Sequence, residues 1–151
     1  MSKISRALKR AQRIKDDFMG RNPGPSDVIG DQSERRFNEM ASSICRHGSF
    51  RWFQGLAKAD ASEDHVKKTD FKMRVITTGP DSHICEFYIR IQIKSSFNQA
   101  KEFRRKNPDD SIHLVVMHPG MTESKLKRVL QSVYYKEIAR RNRNISLLAK
   151  S

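Results

Sequence analysis

The sequence predicts a single domain with an α/β fold of the α+β type, in which helices flank a small mixed β-sheet. Apolar residues recur at helical spacing in four segments. In four other segments they alternate with polar residues or form short continuous runs, as in strands. The segments follow one another as helix, helix, three strands, helix, strand and helix. At 151 residues the chain has the size of one domain with its own core.

The first helix is predicted over residues 2–19, with one apolar stripe and basic residues opposite it. The proline- and glycine-rich segment 21–25 breaks this helix. Residues 1–21 are therefore predicted to be a basic amphipathic arm, and residues 22–151 the single domain. The arm includes three cations expected to contact a polyanion: Lys9, Arg10 and Arg13.

A second helix is predicted to begin at Asp31, whose side chain can cap it, with Glu34 three residues later as in a capping box. Its apolar face includes Phe37 and Ala41. On a helical wheel Glu34 lies about 20° from Ala41, so it borders the buried face.

Three strands follow over residues 50–56, 70–77 and 84–94, and the turn 79–82 joins the last two into a hairpin. Residues 60–68 are predicted to be a mobile loop that can close over a substrate. Alternation gives the hairpin an apolar face and a polar face. The polar face carries Asp70, Lys72, Arg90, Gln92 and Lys94.

Ser96 and Gln99 are predicted to cap a third helix, which carries Phe97, Ala100 and Phe103. Asn107 and Pro108 end it, and an apolar run at 112–117 predicts a buried strand. The last helix is predicted to begin near Thr122 and to end in the basic run 140–143.

Asp70 and Gln92 are equally far along the chain from Asp81, in the middle of the predicted turn. Antiparallel pairing about that turn sets them opposite each other, on the same face of the sheet. Lys94 lies two residues further along and shares that face. A carboxylate, an amide oxygen and an ammonium group therefore converge. The alternative, an exposed ion pair between strands, would contribute only a few tenths of a kcal/mol.

These residues and the order of elements around them resemble the core of the PD-(D/E)XK nuclease superfamily over about residues 28–120. The superfamily includes Holliday-junction resolvases, restriction endonucleases and some homing endonucleases. The resemblance implies a restriction-endonuclease-like core of order αβββαβ, to which this chain adds an N-terminal and a C-terminal helix. Two positions depart from the motif. Thr69 stands at the position of the proline, and Gln92 replaces the second acidic residue.

The resemblance further implies a catalytic set of Glu34, Asp70, Gln92 and Lys94. It implies that Mg²⁺, for which Mn²⁺ can substitute, is held by Asp70, Gln92, Glu34 and the backbone carbonyl of Ile93. Oxygen ligands of this kind suit Mg²⁺, although an amide binds it less tightly than a carboxylate does. Lys94 would orient the attacking water. No organic cofactor is expected.

The net charge of +13 is concentrated at the two ends of the chain. Residues 1–21 carry seven Lys or Arg against two Asp, and residues 125–151 carry eight against one Glu. This distribution favours a polyanionic partner with a phosphate backbone, bound with salt-dependent affinity. The resemblance implies that this partner is duplex or branched DNA. The resemblance implies a homodimer that cuts both strands. The remaining expected DNA contacts are Lys72, Arg90, Arg140, Arg141 and Arg143.

Three other functions stay open: a sequence-specific restriction or homing endonuclease, a non-catalytic DNA-binding protein with the nuclease fold, and an assembly protein with an acidic partner. Two isolated cysteines argue against a disulfide scaffold or zinc site. No apolar run predicts a membrane span. An intracellular protein, cytoplasmic or nucleoid-associated, is expected. The basic N-terminus leaves an organellar transit peptide as the alternative.

Overall fold

The computed structural model describes residues 25–60, 68–79 and 81–150. The predicted helix at 2–19, with Lys9, Arg10 and Arg13, lies outside these ranges, as does most of the predicted loop at 60–68. Within the described ranges there are three helices and four strands, in the order α-β-β-β-α-β-α, so the mixed fold class is confirmed. They are α1 (Pro25–Arg46), β1 (Phe53–Lys58), β2 (Phe71–Thr78), β3 (Ile84–Lys94), α2 (Phe97–Lys106), β4 (Ile112–Val116) and α3 (Glu123–Lys150).

The four strands form one mixed sheet in the order β1-β2-β3-β4. Strands β1, β2 and β3 are antiparallel neighbours, and β4 runs parallel to β3. In the hairpin Phe71 pairs with Ile91 and Lys72 with Arg90, the register predicted by symmetry about Asp81. The turn closes where the Gly79 N–H donates to the His83 carbonyl over 2.7 Å.

The predicted bounds of the first strand were wrong, because β1 begins at Phe53 and not at residue 50. Phe50 and Trp52 alternate as strand residues do, but they precede the strand in a turn. The Trp52 ring stacks on Tyr134 of α3, with 4.2 Å between ring centroids. The aromatic pattern therefore reflects packing against a helix and not strand pairing.

The predicted start of the second helix was also wrong, because α1 begins at Pro25 and Asp31 lies inside it. Proline suits a first helical turn, where its missing N–H has no helical acceptor. The helix ends with Gly48 at φ +64°, and the Ser49 N–H donates to the Ile44 carbonyl. This arrangement satisfies the last carbonyls of the helix and favours glycine.

One face of the sheet carries the core. It packs against α1 and α3 through residues such as Phe37, Ile44 and Leu130. Helix α2 packs against β3 and β4, with Phe103 buried. Helix α3 continues through the basic run 140–143 to Lys150, beyond its predicted end. Among the described residues, none of the helices combines the length and the apolar character that a membrane span requires.

Candidate functional site

A tightly bonded connection links the end of β3 to the start of α2. The Ser96 hydroxyl accepts the Gln99 N–H over 3.2 Å, which confirms the predicted cap. The Gln99 side-chain oxygen, Oε1, accepts from the hydroxyl of Ser95 over 2.7 Å and from its N–H over 3.2 Å. These bonds satisfy donors at the helix start and fix the path of the chain immediately after Lys94.

A cavity of about 480 Å³ lies at this end of β3. Glu34 lines it from α1, and Gln92, Ile93 and Lys94 line it from β3. Three residues of the predicted catalytic set therefore surround one space. Residues that the sequence did not indicate for this site complete the wall, among them Ser33, Glu102, Phe103 and Lys106.

Asp70, the fourth member of the set, immediately precedes β2 and is only 3% exposed. Its Oδ2 accepts the Ile93 N–H over 2.8 Å, and its own N–H donates to the Ile91 carbonyl over 2.8 Å. Asp70 is thus bonded to a residue that lines the cavity. Because the N–H and C=O of one strand residue point to the same side, the Ile93 carbonyl also faces the side of Asp70.

The side-chain oxygen of Gln92 is buried and has no hydrogen-bond partner among the described residues. Leaving such a group without a partner costs on the order of 1–3 kcal/mol. Because Gln92 lines the cavity, an electropositive ligand there would satisfy this oxygen. The described residues contain no group of three or more His, Cys, Asp or Glu that could hold a metal ion. A cation at this site would therefore need amide and backbone oxygens beside Asp70 and Glu34, and Gln92 fits that requirement.

Glu34 makes an ion pair with Lys58 of β1, with 3.1 Å between Oε2 and Nζ. Both side chains are largely buried. The sequence did not indicate Lys58, because the first strand was predicted to end two residues before it. The pair holds the carboxylate at the cavity wall and offsets its charge.

The Lys94 ammonium lies 4.9 Å from the centroid of the Phe103 ring on α2. A cation over an aromatic face is attracted by the electron density of the ring. Phe103 also lines the cavity, so this contact keeps the ammonium beside the space that Gln92 and Glu34 border.

We compared the chain with known proteins. No family model, curated protein or solved structure matches it.

The predicted DNA-contacting residues of the sheet lie on its polar face. The Lys72 ammonium lies 5.2 Å from the centroid of the Tyr88 ring. Arg90 pairs with Asp109, with 3.1 Å between Nη2 and Oδ2, and also contacts the Ser111 hydroxyl. These contacts position both cations on the face that also carries Gln92 and Lys94.

Two of the three predicted contacts on α3 belong to a charge cluster around the buried Glu137. Arg140 Nε lies 2.6 Å from Glu137 Oε1, and Arg141 Nε lies 3.6 Å from Oε2. His113 Nε2 lies 3.5 Å from Oε1. Burial alone would raise the pKa of Glu137, but contacts with His113 and Arg140 outweigh it and lower the pKa to about 2. Arg143, by contrast, is exposed.

Proposed function

We propose that the protein is a metal-dependent endonuclease that hydrolyses phosphodiester bonds in duplex or branched DNA, as Holliday-junction resolvases do. The cavity at the end of β3 carries this proposal, because carboxylate, amide and ammonium groups adjoin one space there. The order αβββαβ, with β4 parallel to β3, supports a restriction-endonuclease-like core.

Asp70, Glu34, the Gln92 side-chain oxygen and the Ile93 carbonyl would hold Mg²⁺. These are hard oxygen donors, and Mg²⁺ commonly keeps waters in its remaining positions. When bound, Mg²⁺ supplies charge stabilisation for the phosphate and for the departing oxygen. The unpartnered Gln92 oxygen is the feature of the structure that favours a cation here.

The chain's own residues position the reactants. Lys94 offsets negative charge on the phosphate and orients the water that attacks phosphorus. Phe103 keeps the Lys94 ammonium at the cavity. Lys58 fixes the Glu34 carboxylate, and the Ile93 N–H fixes one oxygen of Asp70. Water attack forms one P–O bond while the bond to the leaving oxygen breaks, and the proton that the water releases is balanced by the proton that the leaving oxygen takes up.

DNA as the partner agrees with the exposed Arg143 and with the +7 charge of residues 125–151. Phosphate contacts of this kind make affinity fall steeply with salt. A homodimer belongs to the proposal because two incisions need two sites. Light scattering at working concentration tests it, and a monomer in the presence of DNA would contradict it.

The test is a cleavage panel on wild type, Lys94→Ala and Lys101→Ala. Lys101 is an exposed lysine of α2 outside the cavity, so its variant controls for the loss of one positive charge. The substrates are linear duplex, four-way junction, flap and single-stranded DNA, each with Mg²⁺, Mn²⁺ or EDTA. Binding of each variant is measured in EDTA.

We expect cleavage by wild type and Lys101→Ala with either metal, none in EDTA, and at least a hundredfold loss in Lys94→Ala at similar affinity. Preference for the junction would support the resolvase-like reading, and cutting at one fixed sequence would support a restriction or homing type. Undiminished cleavage by Lys94→Ala would refute the assigned site.

A second candidate, a non-catalytic DNA-binding protein with this fold, is favoured by the neutral Gln92 and by the Glu34–Lys58 pair, which offsets a carboxylate. In that case wild type binds DNA without cutting it under any condition. Gln92→Glu then tests whether a missing carboxylate is the cause, since metal-dependent cleavage by this variant would locate the deficiency at position 92.

A further inference from the structure

An exposed aromatic ring lies beside the candidate site. Phe97 is the first residue of α2, three positions after Lys94, and is 66% exposed. The sequence places it at helical spacing with Ala100 and Phe103, and of the two aromatic residues only Phe103 is buried. Burying a Phe side chain stabilises a fold by roughly 1.5–3 kcal/mol, so this exposed ring contributes much less than that to stability.

The ring of His118 stacks against Phe97, with 5.9 Å between centroids and 26° between planes. His118 is itself fixed on two sides. Its Nδ1 accepts the Gly120 N–H over 3.1 Å, and its carbonyl accepts from Arg36 of α1 over 3.2 Å. A Cβ at position 120 would lie 3.2 Å from that Nδ1, so glycine permits the close approach.

Both rings lie at the end of the sheet at which β3 finishes with Lys94. The Met117 N–H donates to the Lys94 carbonyl over 2.8 Å, which brings the segment after β4 next to Lys94. Phe97 follows Lys94 so closely that their Cα atoms are at most about 11 Å apart. Ligands of open α/β sheets commonly bind beyond the carboxyl ends of parallel strands.

We propose that Phe97, supported by His118, forms a stacking platform for a nucleobase of the DNA strand whose phosphate lies at Lys94. Identifying that phosphate rests on the function proposed above. Aromatic faces stack on bases of any sequence, and nearby cations hold the backbone. A base within an intact duplex presents no free face. The platform therefore selects DNA with an unpaired or readily unstacked base beside the scissile phosphate, as at a junction, flap or mismatch.

The experiment compares wild type, Phe97→Ala, Phe97→Trp and Tyr135→Ala. Tyr135 is an aromatic residue on α3 with similar exposure, 59%, and serves as the matched control. Affinity is measured by fluorescence anisotropy in EDTA for single-stranded DNA, a four-way junction and a fully paired duplex with sealed ends. Substrates with 2-aminopurine beside the junction report stacking directly, because its fluorescence is quenched when it stacks.

We expect Phe97→Ala to lose about tenfold in affinity for single-stranded and junction DNA, since stacking one base contributes about 1–3 kcal/mol. Its affinity for the duplex should stay within twofold of wild type, and 2-aminopurine should stay bright. Phe97→Trp should retain affinity and quenching, and Tyr135→Ala should behave as wild type. Circular dichroism melting verifies that each variant is folded.

Three results would overturn the platform. Phe97→Ala could bind single-stranded DNA as wild type does, or it could lose the same factor on the duplex, which would indicate general contacts. It could also change its oligomeric state with unchanged DNA binding, which would make Phe97 a protein interface. Because these measurements use EDTA, they are independent of cleavage. A wild type that never cuts refutes the proposed nuclease and leaves the stacking result standing.

Discussion

Replacing Glu137 with Gln is expected to destabilise the fold and to reduce the dependence of its stability on acid pH. Glu137 is 1% exposed and contacts Arg140, Arg141 and His113. Glutamine has nearly the same shape but no charge. The substitution therefore removes the carboxylate and leaves the cations around it without their counter-charge, which is strongly destabilising at a buried site.

The magnitude follows from the pKa of the carboxyl group. Lowering it from 4.5 to about 2 on folding corresponds to about 3 kcal/mol of stability. Because the folded pKa is depressed, this stability is fully present above pH 4.5 and is lost as the pH falls toward about 2. At pH 3 about half of it should remain.

Urea unfolding at pH 5 and at pH 3 tests this, since both values lie below the range in which histidine ordinarily titrates. Trp52, the single tryptophan, stacks on Tyr134 of the same helix as Glu137, so its fluorescence reports docking of α3. The difference in unfolding free energy between wild type and Glu137→Gln should shrink by about 2 kcal/mol from pH 5 to pH 3.

Glu102→Gln is the control, because Glu102 pairs with Arg105 on an exposed face of α2. Contacts of that kind contribute little, so no measurable change is expected at either pH. A difference between wild type and Glu137→Gln that is the same at pH 5 and pH 3 would refute the assigned role of the carboxylate. So would equal stability of the two proteins at pH 5.

Two further substitutions test local features. Asp70→Ala should lower the free energy of unfolding by about 1–3 kcal/mol, because the Ile93 N–H loses its acceptor. Asp70→Asn keeps a side-chain oxygen that can accept this bond. Equal urea midpoints for the two variants would therefore argue against the bond. Gly48→Ala should cost about 1 kcal/mol, because φ is +64° and an added Cβ meets no atom within 4 Å, so the loss is purely conformational. An unchanged melting temperature would contradict this reading of the helix end.

The hairpin could be predicted in detail because its determinants are local. A turn segment and strict alternation of apolar residues fix both register and face. The starts of β1 and α1 could not be predicted from the same kind of pattern. Trp52 stacks on Tyr134 of α3 and Phe50 stacks on Trp52. Asp31 resembles a cap, although α1 begins six residues before it. At these positions tertiary contacts outweigh local sequence propensity.

The candidate site likewise combines residues that a local pattern predicts with residues that only tertiary contacts bring there. Asp70, Gln92 and Lys94 follow from hairpin symmetry, and their approach needs no knowledge of distant segments. Lys58 and His118 could not be found this way, because they depend on where β1 ends and on how the segment after β4 meets α2. The exposure of Phe97 could not be predicted from the sequence either, because an apolar residue at helical spacing is usually buried.

The charges around the cavity explain how the site can tolerate an amide at position 92. A carboxylate there would be a third negative charge near Asp70 and Glu34, and buried charges without partners are costly. In the structure the Ile93 N–H donates a hydrogen bond to Asp70, Lys58 forms an ion pair with Glu34, and Gln92 adds no charge. Both carboxylates therefore have partners within the protein. On the proposed function, phosphate oxygens of the DNA supply the negative charge that Gln92 lacks, and Mg²⁺ often binds with only one or two carboxylates plus substrate phosphates.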